Sequence, residues 1–96
     1  MIEASAPAAD VSIHKARLYS VTDASNVIIG TNEVSFSGGN RAVSRSFVYG
    51  LFTLSQSTNL VIQHRSSASI ATNGMGVASS FSVVEVYTEV RIWKVA

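Results

Sequence analysis

Residues 84 to 93 alternate with a period of two: Val84, Val86, Thr88, Val90 and Ile92 take the even positions, and Glu85, Tyr87, Glu89, Arg91 and Trp93 the odd ones. Successive side chains of a strand point to opposite faces. The stretch therefore makes one β-branched strip and one face of carboxylates, rings and a guanidinium. A helix would mix the two sets around its circumference. Extended over Phe81 to Ala96 at about 3.3 Å per residue, such a strand reaches roughly 40 to 50 Å and is expected at the centre of a sheet. A chain organised around it is all-β.

The rest of the sequence reads the same way. From Ser12 to Val21, Ile13, Lys15, Arg17, Tyr19 and Val21 fall on one face and His14, Ala16, Leu18 and Ser20 on the other, which makes a strand with a basic amphipathic face. Asp23, Ser25 and Asn26 mark a turn. Val27–Ile29 and Glu33–Ser37 read as short strands, each closed by a glycine turn, at Gly30-Thr31-Asn32 and Gly38-Gly39-Asn40. Val43 to Leu54 is the richest aromatic region, with Gly50 as a candidate bulge. Leu60, Ile62 and His64 oppose Val61, Gln63 and Arg65 in a further strand, and residues 66 to 80 form a long loop. Residues 1 to 11, rich in alanine and lacking a useful period, are expected to be a flexible linker or tail. Residues 12 to 96 are then a single β-sandwich domain.

With 96 residues the chain holds one modest core, at a size where oligomerisation commonly adds stability. Hydrophobic residues are 47% of it and charged ones 14%, too few charges to cover a lone small domain, so part of the surface is expected to be an interface. A net charge of +1 with scattered basic residues speaks against nucleic acid as a partner. Cysteine is missing, which excludes disulfides and thiolate metal sites. No stretch has the length of a membrane-spanning helix, and the first residues lack the pattern of a signal peptide, so membrane insertion is not expected.

Catalytic patterns are equally sparse. His14 and His64 have no ligand-like neighbours at metal-binding spacing, so no metal and no cofactor are expected. Glu85 and Glu89 would stand about 13 Å apart along a strand, too far for the carboxylate pair of a glycosidase. No Gly-x-Ser-x-Gly elbow is present, and Gly38-Gly39 lacks the lysine and helix of a phosphate loop. An enzyme is not expected.

Several blocks carry a family resemblance. Arg45-Ser46-Phe47-Val48-Tyr49-Gly50-Leu51-Phe52-Thr53-Leu54, Leu60-Val61-Ile62-Gln63-His64-Arg65, Thr72-Asn73-Gly74-Met75-Gly76-Val77-Ala78, Glu85-Val86-Tyr87-Thr88 and Ile92-Trp93-Lys94-Val95 resemble the C-terminal modules of bacteriophage tail fibres, tailspikes and related virion proteins. Ala16-Arg17-Leu18-Tyr19-Ser20-Val21-Thr22-Asp23 is similar to their first strand. The match runs from about residue 13 to 96, in blocks that are individually weak and specific only in their order and spacing.

The resemblance implies a jelly-roll-like antiparallel β-sandwich, similar to the tumour-necrosis-factor-like fold, which is made in the host cytoplasm and forms a homotrimer, or a multiple of three, at the tip of a longer fibre or spike chain in the virion. Tyr87, Glu89, Arg91 and Trp93 would then meet their copies, with Arg17 and Tyr19 in the same interface, while the β-branched face fills the sandwich. One departure is that such modules usually follow a long fibre, whereas here a Met1 and a short tail precede the first strand. Host-receptor contact is expected in the long loop at Ser67, Thr72, Asn73 and Met75, since binding residues favour loops on rigid scaffolds. The alternative is a monomeric carbohydrate-binding β-sandwich that grips a bacterial surface glycan.

Overall fold

The computed structural model describes residues 1–36, 42–70 and 73–95. The glycine turn at Gly38-Gly39-Asn40 and the loop residue Thr72 lie outside them. The described residues are all-β, with six strands and no helix: β1 (Ile2–Ala9), β2 (Ser12–Ser20), β3 (Ser25–Ser35), β4 (Val43–Gly50), β5 (Leu60–Ser66) and β6 (Glu89–Ile92). They form two antiparallel three-stranded sheets, ordered β4-β1-β6 (sheet A) and β3-β2-β5 (sheet B). The shortest dimension, 18 Å, suits two sheets about 10 Å apart with their outward side chains.

The core is small and rich in alanine. Ile2, Ala4 and Ala6 of β1 and Val48 of β4 face Ala16 and Leu18 of β2, with Val27, Ile28, Phe52, Leu60 and Ile62 packed around them. The alternation read for β2 and β5 is the one observed: His14, Ala16, Leu18 and Ser20 are buried, and Val61, Gln63 and Arg65 are exposed.

Three expectations are corrected. Residues 2 to 9 are no tail but the central strand of sheet A. The run of alanines has no hydrophobic period because β1 is covered on both sides towards its end, where Pro7, Ala8 and Ala9 are all buried. The long C-terminal strand is only four residues and lies at the sheet edge. Its partner sets that length. β6 pairs with Ile2 to Ser5, and the backbones of Met1 and Trp93 exchange two further bonds at 3.0 and 3.1 Å. Ala9 N–H donates to Gly74 O on the β6 side, so Pro7, two residues earlier, would point its missing N–H the same way. Pairing past Ser5 would therefore lack β1's donor.

The third correction joins two expected short strands into one. β3 runs through Gly30, where Gly30 and Thr31 together oppose Ala16 in a bulge. A Cβ on Gly30 would overlap Ala16 O and lie 2.9 Å from Phe47 O, so glycine is required by close approach. Gly50, read as a bulge, is the last residue of β4.

Side chains close the sandwich along β3 and β4. Ser46 Oγ accepts from Ala16 N at 2.9 Å and donates to Thr31 O at 2.7 Å. Thr31 Oγ1 accepts from Phe47 N, and the Ser44 and Ser35 hydroxyls donate to Val34 O and Ala42 O. The opposite side, between β5 and β6, holds a cleft of about 410 Å³ lined by Ala6, Ile62, His64, Met75, Gly76, Tyr87 and Thr88.

Candidate interaction surfaces

Sheet A presents its outer face through alternate residues of three strands. Phe47, Ser5 and Glu89 form one cross-strand row, and Tyr49, Glu3 and Arg91 the next. Phe47 and Tyr49 are 50% and 65% exposed. Arg91 stands 3.6 Å from both Glu3 Oε1 and Glu89 Oε2. Both contacts lie within one chain, and in so exposed a position each is worth at most about 1 kcal/mol. Arg45 reaches across β1, donating to Ser5 Oγ at 2.9 Å and Tyr87 O at 2.8 Å, and so ties the segment before β6 to the sheet.

The remaining expected interface residues do not all share that face. Tyr87 lies outside any strand and lines the β5–β6 cleft, its ring covering Gly76, where a Cβ would come within 2.5 Å of it. Trp93 borders a separate cavity of about 820 Å³ with Met1, Leu51, Phe52, Thr53, Leu54 and the chain from Ile92 to Val95. Arg17 and Tyr19 are on the outer face of sheet B, across the sandwich from Glu89 and Arg91.

Nor does the β-branched strip fill the sandwich. Val90 and Ile92 oppose Ala4 and Ile2 in register and so share the inner face of sheet A, yet they remain 50% and 56% exposed. Val84 and Val86 precede the strand and are exposed to 86% and 63%. Phe81, at 79%, adds to an apolar surface that runs along the C-terminal segment.

Of the loop residues expected to meet a receptor, Ser67 is committed to structure: its hydroxyl accepts from Ile13 N at 3.1 Å and donates to Val11 O at 3.2 Å. Asn73 is half-buried, its carbonyl accepting from Gly76 N, and Met75 is 53% exposed beside the cleft. Farther along the same loop, Glu85 accepts from Ser79 N, Ser79 Oγ and Ser80 N at 2.7, 2.8 and 3.2 Å. Those bonds, Ser79's hydroxyl first, hold its carboxyl below the usual range.

Beneath the surface, between the sheets, lies a polar chain that spacing alone does not reveal. His14, 1% exposed, places Nδ1 2.8 Å from His64 Nε2 and Nε2 2.7 Å from Ser44 Oγ. Ser44 gives its own proton to Val34 O, so the network assigns His14 Nε2 as the donor to Ser44 and His64 Nε2 as the donor to His14. The order serine, histidine, histidine has the connectivity of a nucleophile and its base, with the opposite polarity: His14 gives Ser44 a proton where a base would take one. Burial lowers the pKa of both imidazoles, Glu33 opposing the effect at His14 and the charge of His14 adding to it at His64. Among the described residues no group of three His, Asp or Glu side chains could hold a metal ion.

Comparison of the chain with family models, curated proteins and solved structures found no match.

Proposed function

We propose that the chain is a non-catalytic structural module of a phage virion, a jelly-roll-like trimerisation unit at the C-terminal tip of a tail fibre or tailspike. The observation that carries this reading is the set of exposed apolar side chains along residues 81 to 95, among them Val90 and Ile92, half-exposed on the inner face of β6. Soluble monomers rarely leave contiguous patches of this kind uncovered. A low-charge surface that meets copies of itself buries them without stranding charges. The ordered resemblance to fibre-tip modules supplies the symmetry.

The threefold arrangement favours one side of the sandwich. Subunits around a closed ring join through adjacent faces, because contacts on opposite faces propagate a stack. Glu89, Arg91 and Trp93 with the β5–β6 opening are therefore assigned to the axis. Arg17 and Tyr19, across the sandwich, are left on the outside.

Light scattering over a concentration series tests the reading. A stable mass of three times the 10.2 kDa chain, or a multiple of it, is the expected result. Val90→Asp should reduce that mass to the monomer while leaving the β-sheet circular dichroism intact, since Val90 is half-exposed in the isolated chain. A wild-type protein that stays monomeric at high concentration overturns the proposal and favours the carbohydrate-binding alternative.

A further inference from the structure

The outer face of sheet B carries an uncompensated cationic cluster. Lys15 of β2 and Arg65 of β5 are directly opposite in register, and both are exposed. Like charges so placed repel and destabilise the strand pair. Two residues along β2, Arg17 adds a third cation, and among the described residues no carboxylate forms an ion pair with any of them. The acidic side chains that do form ion pairs, Glu3 and Glu89, lie on the other sheet.

Arg17 is held open by neutral groups. Gln63 Oε1 accepts from its Nε at 2.8 Å and its Nη2 at 2.5 Å, Asn26 Oδ1 accepts from Nη1 at 2.7 Å, and the guanidinium carbon lies 4.3 Å from the centre of the Tyr19 ring. These contacts fix the guanidinium without neutralising it. They also use the amide oxygens of Gln63 and Asn26, which leaves their NH2 groups as the free ends. The cluster therefore offers donors: an ammonium, two guanidiniums and two amide NH2 groups. Its floor is a concavity of about 640 Å³ between β2 and β5, edged by Ile29. That size suits a small ligand.

We infer that this concavity binds the oxyanion of an acidic saccharide, with Lys15 and Arg65 taking the charged oxygens, Arg17 and Gln63 framing the site, and Asn26 holding Arg17 in place. A ligand of this kind supplies both the negative charge and the many acceptor oxygens that a donor-only surface lacks. Nucleic acid fits less well, because three cations track too little backbone and the Tyr19 ring is already engaged by Arg17. The shared chemistry covers a sugar carboxylate and a sugar phosphate. The inference deepens the fibre-tip reading by giving its surface contact a ligand class, and it rests on that reading only in leaving this face outside the assembly.

Calorimetric titration with trigalacturonic acid and with inorganic phosphate, against maltotriose as the neutral control, tests it. Saturable binding of either anion and none of maltotriose is expected. A response to trigalacturonic acid alone identifies the carboxylate as the recognised group, and one to phosphate alone identifies the phosphate. Lys15→Gln and Arg65→Gln should each weaken binding about tenfold. Both should melt no lower than wild type, because each removes a repulsion; a role confined to stability would give the opposite pattern. No saturable binding of either anion up to about 10 mM, or binding unchanged in both variants, overturns the inference. Masses from light scattering on the same samples keep the two claims separate: a monomer that binds the anion refutes the assembly alone, and a trimer that does not refutes the site alone.

Discussion

Ser46→Ala is expected to loosen the sandwich out of proportion to the single oxygen it removes. Ser46 is 0% exposed and its hydroxyl joins three strands, accepting from Ala16 N of sheet B and donating to Thr31 O of β3. Without it the two partners fare differently. Ala16 is 1% exposed, so its N–H would be left buried without an acceptor, at about 1–3 kcal/mol. Thr31 is exposed, and its carbonyl can turn to water for about 1 kcal/mol or less. The lost methyl-sized space is negligible, since alanine keeps the Cβ. A total of about 2 kcal/mol is a large part of the 5–15 kcal/mol that holds a typical domain together. It corresponds to a fall in melting temperature of roughly 8–16 °C for a chain of this size. Denaturant unfolding at fixed protein concentration measures it, because any oligomer makes the midpoint depend on concentration. Ser79→Ala, an exposed serine that also makes hydrogen bonds, serves as the control and should stay within about 0.5 kcal/mol. Equal effects of the two substitutions would refute the view that Ser46 staples the sheets.

Gly30→Ala should destabilise by more than about 2 kcal/mol, read as insolubility or rapid proteolysis, because both atoms its Cβ meets are backbone oxygens that cannot swing away. Trp93→Ala should weaken assembly, seen as a lower mass by light scattering, more than it lowers the unfolding midpoint of the separated chain; the residue is 46% exposed, and an unchanged mass with a lower midpoint would place it in the fold instead. The histidine pair gives the fold a pH dependence of definite sign. Both folded pKa values lie below the ordinary 6.5, so the unfolded chain binds protons first. Stability should be full above about pH 6.5 and decline as pH falls towards the folded values. His14→Gln/His64→Gln should flatten that decline in acid denaturation, and an unaltered slope would assign it to the carboxylates.

Strand identity was legible wherever one face of a strand meets the core and the other meets water. β2 and β5 do so, and their alternation matches the side chains that turn inward, buried in β2 and half-buried in β5. β1 was opaque for the opposite reason: Pro7, Ala8 and Ala9 are buried together, and small side chains on both faces leave no contrast between odd and even positions. The C-terminal stretch misled in the other direction. Its alternation is sound, but a strand needs a partner for each residue it pairs, and β1 supplies one only as far as Ser5. The serine and histidine contacts inside the sandwich have no local signature. Ser44 and His14 are thirty residues apart in sequence and His14 and His64 fifty, so only the crossing of β2, β4 and β5 brings them together.

The sandwich is closed unequally, and that asymmetry bears on what it does. Along β3 and β4, hydroxyls and a glycine-permitted close approach bind one sheet to the other. On the β5 and β6 side lies a cleft lined by the half-buried Ile62 and His64, and Val90 and Ile92 on the inner face of β6 are half-exposed. Apolar area left in water on the inner side of a sheet forfeits about 25 cal/mol per Å², and in a core built largely of alanines there is little surplus to offset it. A second copy laid against this opening would recover that area, whereas a copy laid against sheet B would have to desolvate Lys15, Arg17 and Arg65 together. On the proposed reading, the same charge distribution would direct assembly to one side of the molecule and leave the cationic face of the other open to the proposed anion.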